Sequence, residues 1–205
     1  SAIGISELLN KQMFEKSEAR KKLNINNEEI IFITVRRLVP RMGLLNLIKA
    51  FNIVKNKDLK NKSIKLIIVG KGMLYEKMQK LINKLNLADS IILKGFLPDE
   101  ELHDYYCAAD CFILPTEQLE GFGIATIEAL SYNLPVIGTP MGATPEILQK
   151  FDSNLITKTY KPEHIAEKII YFIENRKKYE NIDFSSKAKK EYNWEIIIDN
   201  IINNL

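Results

Sequence analysis

The sequence predicts an α/β fold, a Rossmann-like, doubly wound parallel sheet of about six strands. Three observations carry this. Ile30–Val35 (IIFITV), Ile64–Val69 (IKLIIV) and Cys111–Leu114 (CFIL) are compact, β-branched or aromatic runs of strand length, as expected for strands covered on both faces. These runs alternate with segments whose apolar residues recur at helical spacing, the pattern of βαβ units. Glycines stand where strand-like runs end, at Gly70 and Gly72 and again at Gly121 and Gly123, where a missing Cβ lets another group approach the main chain.

Residues 1–29 read as a lead-in, with KSEARKKLNI as a short charged helix ending near Asn24. Ile30–Val35 is the first central strand. After a turn at Val39–Gly43, Leu44, Leu47, Ile48, Phe51 and Val54 mark one face of an amphipathic helix. Ile64–Val69 is the next strand, and Gly70-Lys71-Gly72 turns the chain into a helix over MLYEKMQKLINKL. Ile91–Leu93 is a short strand, and Pro98 and Asp99 open the following helix. The run Cys111–Leu114 leads through EQLEGFGIATIE (Glu117–Glu128) into a helix at Ile124–Ser131, and Leu134–Ile137 is a further strand. Asn154–Thr157 completes the six. Beyond Pro162, Ile165, Ile169, Phe172 and Ile173 share a helical face, and Trp194–Ile202 forms a last amphipathic segment. The whole reads as one domain over 1–205, with a core at 30–160 and C-terminal helices at 161–205.

Composition removes several function classes. Of 205 residues, 46% are hydrophobic, enough for a substantial core. With 29 basic and 26 acidic side chains the formal charge is +3, which lacks the positive excess of a nucleic-acid binder. Two cysteines, Cys107 and Cys111, cannot build a disulfide scaffold, and His103 and His164 stand in polar segments without zinc-type spacing, so both read as solvated and no metal is expected. The chain shows neither a long apolar span nor a signal-peptide pattern, which fits a reducing, cytoplasmic setting.

The loop at 117–128 holds the chemistry. Bare main-chain amides at a strand-to-helix junction suit an anion such as phosphate. Glu120 and Glu128 lie up to about 12 Å apart at roughly 1.5 Å per helical residue. Ionised carboxylates only accept hydrogen bonds, so hydroxyls are their natural ligand partners. A diphosphate flanked by two polyol ends describes a nucleotide-sugar, while solvated glutamates on a helix are the other reading. Arg36 and Arg37 close the first strand, where a guanidinium could hold a phosphate or simply face solvent.

The string EGFGIATIEAL with PVIGTPMGATPEI downstream, and VRRLVPRMG and VGKGML upstream, resembles the C-terminal half of family 4 (group 1) retaining glycosyltransferases of GT-B fold. The resemblance implies a domain that binds a nucleoside-diphosphate sugar, with no obligatory cofactor or metal. It implies that transfer requires an N-terminal acceptor-binding domain, through which the full-length enzyme could associate peripherally with a membrane in polysaccharide or glycoconjugate synthesis. By matching positions, Glu120 faces the transferred sugar and Glu128 the ribose. The Gly121, Phe122, Gly123 and Ile124 main chain binds the sugar or diphosphate, Gly70, Lys71 and Gly72 border the nucleotide, and Phe96 and Leu97 meet the base. Arg37 takes the place of the diphosphate-binding arginine and Arg36 that of a frequent glycine. The second cation, usually a lysine, is replaced by Met42, so Arg41 is expected to substitute, and a lysine at Met42 to restore binding lost at Arg41. A GT-B sugar-nucleotide epimerase and a non-catalytic Rossmann-like binding module are the alternatives.

Overall fold

The computed structural model describes residues 15–57 and 62–192. Five strands, β1 (Ile30–Val35), β2 (Ile64–Val69), β3 (Ile91–Gly95), β4 (Cys111–Leu114) and β5 (Val136–Gly138), form one sheet in the order β3-β2-β1-β4-β5. All pairings are parallel, and β1 and β2 run in unbroken register from Ile30 opposite Ile64 to Val35 opposite Val69. The expected sixth strand is absent among the described residues. Ser153–Leu155 instead forms a 3-10 turn, in which the Asp152 side chain accepts from the Asn154 amide, and only Ile156 makes a bridge, to Gly138. Extended pairing ends there because the turn's local hydrogen bonds compete with the ladder.

The helices are α1 (Lys16–Lys22), α2 (Leu44–Lys55), α3 (Tyr75–Lys84), α4 (Asp99–Ala108), α5 (Ile124–Ser131), α6 (Thr144–Gln149), α7 (Pro162–Glu174), α8 (Arg176–Tyr179) and α9 (Phe184–Tyr192). Right-handed crossovers send successive βαβ helices to one face while the chain moves outward from β1 to β3, and to the other face once it returns to β4. Contacts agree: α2 packs with α3 and α7, α1 with α4, and α9 with α5. On one side Phe32 of β1 meets Phe51 of α2 and Phe172 of α7 edge-on, with centroids 5.7 and 5.5 Å away. On the other, Phe112 of β4, Tyr106 of α4 and Tyr132 stack in series.

The expected apolar face of α2 is the buried one: Leu44, Leu47, Ile48, Phe51 and Val54 are all in the core. The lead-in also joins the fold, because Arg20 of α1 is almost wholly buried and pairs with Asp110 at the start of β4. The segment Trp194–Ile202 lies outside the described residues. Among the described residues, no helix is long and apolar enough to cross a membrane.

Candidate functional site

The chain leaves β1 for a neighbour on one side and later returns to place β4 on the other. The carboxyl ends of these two strands therefore border a crevice, the place where open α/β sheets bind ligands. Two segments enter it. The one after β1 carries Arg36, Arg37 and the 3-10 turn Pro40–Met42, and the one after β4 carries Thr116 to Gly123. Together with α5 they enclose a cavity of about 470 Å³. A cavity of about 490 Å³ lies at the opposite strand ends, but its charged wall of Asp110, Lys16 and Arg176 is already joined in ion pairs.

The cavity brings together Arg37, Arg41, Glu120, Gly121, Phe122, Gly123, Ile124 and Glu128, with Val35, Arg36, Met42, Leu119 and Ala125 completing its lining. Gly123 caps α5 at φ 77°, a left-handed conformation that lets the loop turn abruptly into the helix. No side chain caps this helix, so its first amides remain available to an acceptor. At Gly121 an added Cβ would meet nothing within 4 Å, so the approach to the main chain is open.

Consecutive arginines at the strand end have separate fates. Arg37 is exposed, whereas Arg36 is buried and donates from Nη2 to Glu120 Oε2 at 2.7 Å. The residue in the position of a family glycine is thus joined to the loop glutamate, which the spacing did not show. Arg41 is half-buried; its Nη1 donates to the Leu119 carbonyl at 2.7 Å, and its own carbonyl accepts the Glu117 and Gln118 amides. It braces the loop that carries Glu120. Met42 points inward, 6% exposed, with its sulfur 2.7 Å from Arg36 Nη2. This geometry argues against the expected rescue by lysine at Met42, because an ammonium following the methionine's path would be buried against a guanidinium.

Glu128 sits on α5 against the aromatic series of α4. Burial first, then the nearby charge of Glu128, push the Tyr106 hydroxyl well above the ordinary phenol range, and this buried hydroxyl has no hydrogen-bond partner among the described residues. Tyr106 therefore remains a neutral phenol close to the carboxylate. Thr116, Tyr106 and Arg36 are partners that motif spacing missed; only Arg36 carried a signal, its place at a strand end.

Gly70, Lys71, Gly72, Phe96 and Leu97 gather on the neighbouring βα turns after β2 and β3, outside the lining of the cavity. The Gly70 amide donates to the Gly95 carbonyl at 2.7 Å, and Lys71 Nζ lies 5.0 Å from the centre of the exposed Phe96 ring. Gly70 and Gly72 also have a structural cause: an added Cβ would come within 1.9 Å of the Arg36 carbonyl oxygen or 2.5 Å of that of Leu38. His103 and His164, expected to be solvated, are both half-buried and meet hydroxyls, Tyr132 at 3.1 Å and Thr159 at 2.8 Å. Cys107 and Cys111 are buried thiols that form no disulfide among the described residues, and Cys107 Sγ lies 3.7 Å from His103 Nε2.

A parallel sheet with this strand order, and a loop of glycines and paired glutamates at its switch point, defines a GT-B-type Rossmann-like domain. The sequence matches the family described as glycosyl transferases group 1 over residues 15–190, and the chain belongs to that family. It is 26% identical over 167 residues to the GDP-mannose-dependent alpha-(1-6)-phosphatidylinositol monomannoside mannosyltransferase of Mycobacterium tuberculosis, covering 78% of this chain and 42% of that protein. The crystal structure of the C-terminal domain of the group 1 glycosyl transferase LpcC from Francisella tularensis superimposes with a TM-score of 0.74 at 20% identity, covering 91% of this chain and 97% of that one. Anabaena Alr3699/HepE in complex with UDP and glucose gives a TM-score of 0.77 at 18% identity, with 98% of this chain and 54% of that one covered. The chain spans about half of the length of the curated relatives it matches, 48% and 42% in two of them.

Proposed function

We propose that this chain is the donor-binding domain of a retaining glycosyltransferase and holds a nucleoside-diphosphate sugar in the crevice beyond β1 and β4. The observation that carries the reading is the convergence there of Arg37 and Arg41 with the uncapped start of α5 and two glutamates. Cations and bare amides suit a diphosphate, and carboxylates that only accept hydrogen bonds suit the hydroxyls at its two ends. In this reading Glu128 takes the ribose, Glu120 takes the transferred sugar, and the turns at Gly70–Gly72 and Phe96–Leu97 border the nucleoside. The family membership and the similarity to proteins named for GDP-mannose and for UDP support the ligand class while leaving the base open.

During transfer, negative charge accumulates on the departing diphosphate. In this reading guanidinium groups and amides held around that position by the fold lower the barrier with little reorganisation, which is electrostatic catalysis by preorganisation. The acceptor would be supplied by a further domain of a longer protein, so this chain alone binds donor and does not transfer sugar.

Calorimetry with UDP, GDP, ADP and their common sugar conjugates tests this. Binding of one nucleoside diphosphate and its conjugates, with no acceptor-dependent transfer by the chain alone, is expected. Absence of affinity for every nucleotide in the panel would reject the donor-domain reading.

A further inference from the structure

The wall of the cavity contains a cation already joined to a carboxylate. Arg36 is 6% exposed at its side chain, and its partner Glu120 is 11% exposed. A second donor meets the same carboxylate oxygen: the Thr116 hydroxyl lies 2.8 Å from Glu120 Oε2. Thr116 is itself fully buried, and its carbonyl accepts from the Thr139 hydroxyl at 2.7 Å, so this donor is anchored from behind. Two donors on Oε2 fix the plane of the carboxylate. Among the described residues both donors to Glu120 meet Oε2, and Oε1 is left for a ligand in the cavity that Glu120 lines.

The contrast with Arg20 shows that Arg36 is not there for the fold alone. Arg20 satisfies Nε, Nη1 and Nη2 with the Ala108 carbonyl, the Asn27 carbonyl and Asp110. Arg36 engages Glu120 and the weak acceptor Met42 through Nη2, and its buried Nη1 has no hydrogen-bond partner among the described residues. Leaving a buried N–H unpaired costs stability, so a purely structural arginine at this site would be poorly placed. What Arg36 does achieve is the orientation of one carboxylate.

We propose that Arg36 is a positioning residue for sugar recognition: with Thr116 it holds Glu120 so that Oε1 accepts a hydroxyl of the donor's sugar. This rests on the donor-domain reading above. The pair also cancels the charge of Glu120 locally, which leaves Arg37 and Arg41 to counter the diphosphate.

The test is calorimetry of this chain with UDP, GDP, UDP-glucose and GDP-mannose. Arg36→Met is expected to weaken the bound nucleotide-sugar by about tenfold, the scale of one charge-assisted hydrogen bond, while shifting the matching free diphosphate by less than about twofold. Arg36→Lys should recover part of the loss. In a Glu120→Gln background, Arg36→Met should have no further sugar-selective effect, because coupled residues are not additive. Equal losses for free and sugar-bearing nucleotide, no loss, or a full additional loss in the Glu120→Gln background would each overturn the proposal while sparing the donor-domain reading. If the parent binds none of the four probes, that reading falls and this inference with it. Thermal melting checks folding. Should Arg36→Met not fold, Thr116→Val removes the other donor to Oε2: a sugar-selective loss of roughly threefold supports the proposal, and an unselective or absent loss overturns it.

Discussion

Arg20 Nη2 lies 2.7 Å from Asp110 Oδ2, and the side chains of both residues are only 2% exposed although 90 positions separate them. The same carboxylate oxygen accepts the Ile31 amide at 2.7 Å, while Oδ1 is paired with Lys16 and Arg176. This pair ties α1 to the amino ends of the central strands β1 and β4, at the opposite end of the sheet from the cavity.

Removing Arg20 takes the shortest ion-pair contact from the buried Asp110, whose Oδ1 keeps Lys16 and the more distant Arg176, and also strips the Ala108 and Asn27 carbonyls of their donor. Arg20→Ala should therefore destabilise the chain by about 3 to 5 kcal/mol, measured by chemical denaturation. A loss below about 1 kcal/mol, the range of exposed pairs, would show that the lead-in helix is not integral to the domain.

In the cavity, Glu128→Gln should weaken free nucleoside diphosphate and nucleotide-sugar alike by about tenfold or more, whereas Glu120→Gln should spare the free nucleoside diphosphate. Tyr106→Phe, which withdraws the hydroxyl close to Glu128, should give a smaller loss in the direction of Glu128→Gln. Calorimetry decides, and unchanged nucleoside diphosphate binding in Glu128→Gln would remove the ribose assignment.

Arg37→Ala and Arg41→Ala should weaken diphosphate binding by comparable factors, more at low than at moderate salt because exposed charges are screened. Met42→Lys should melt at lower temperature than the parent and should not rescue Arg41→Ala, since its ammonium would be buried beside Arg36. Rescue would mean that the side chain at 42 can turn outward into the cavity.

Gly142 adopts φ 54°, and a Cβ there would come within 2.2 Å of the Glu120 carbonyl oxygen. Gly142→Ala must displace the loop, so sugar-bearing nucleotide should lose affinity by about tenfold or more together with a lowered melting temperature. An alanine variant with parental melting and parental binding would contradict the close approach of these two loops.

Acid stability has a local source at Asp152. Burial raises its carboxyl pKa, but the Lys178 ammonium, the Asn154 amide and the Tyr179 hydroxyl outweigh that effect and hold it below the ordinary range. A carboxyl depressed in the folded state adds stability that is complete above its unfolded value, about 3.9, and is lost as pH falls through the lower folded value. Asp152→Asn should thus be less stable than the parent at pH 7, by about 1 kcal/mol, with the gap closing below about pH 4. Urea midpoints across pH 7 to about 2.5 test the sign; a constant gap would exclude Asp152 as the titrating group.

The alternation of strand and helix was legible in the sequence because burial on both faces demands continuous apolar runs and helices demand a repeat of about 3.6 residues. Ile30–Val35, Ile64–Val69 and the buried face of α2 follow directly from that. The loop at 117–128 was legible as a strand-to-helix junction with open main chain, while its nucleotide-sugar reading came from the family resemblance, because glutamates on a helix are as often simply solvated. Asn154–Thr157 misled for the converse reason. Apolar and β-branched residues favour a strand, but the Asp152 side chain captures the Asn154 amide and turns the chain after a single bridge.

By itself, then, the sequence determined the βαβ succession and the segments that border the crevice, since both depend on local spacing and conformational preference. Tertiary structure alone decided that Arg36 turns inward to Glu120 while Arg37 stays exposed, that Met42 is buried, and that Tyr106 lies close to Glu128. Such pairings depend on which strands become neighbours at the switch point and on which side of the backbone each side chain leaves. Residues 36 and 120 stand 84 positions apart, and no local pattern records that the order β3-β2-β1-β4-β5 brings the ends of β1 and β4 together.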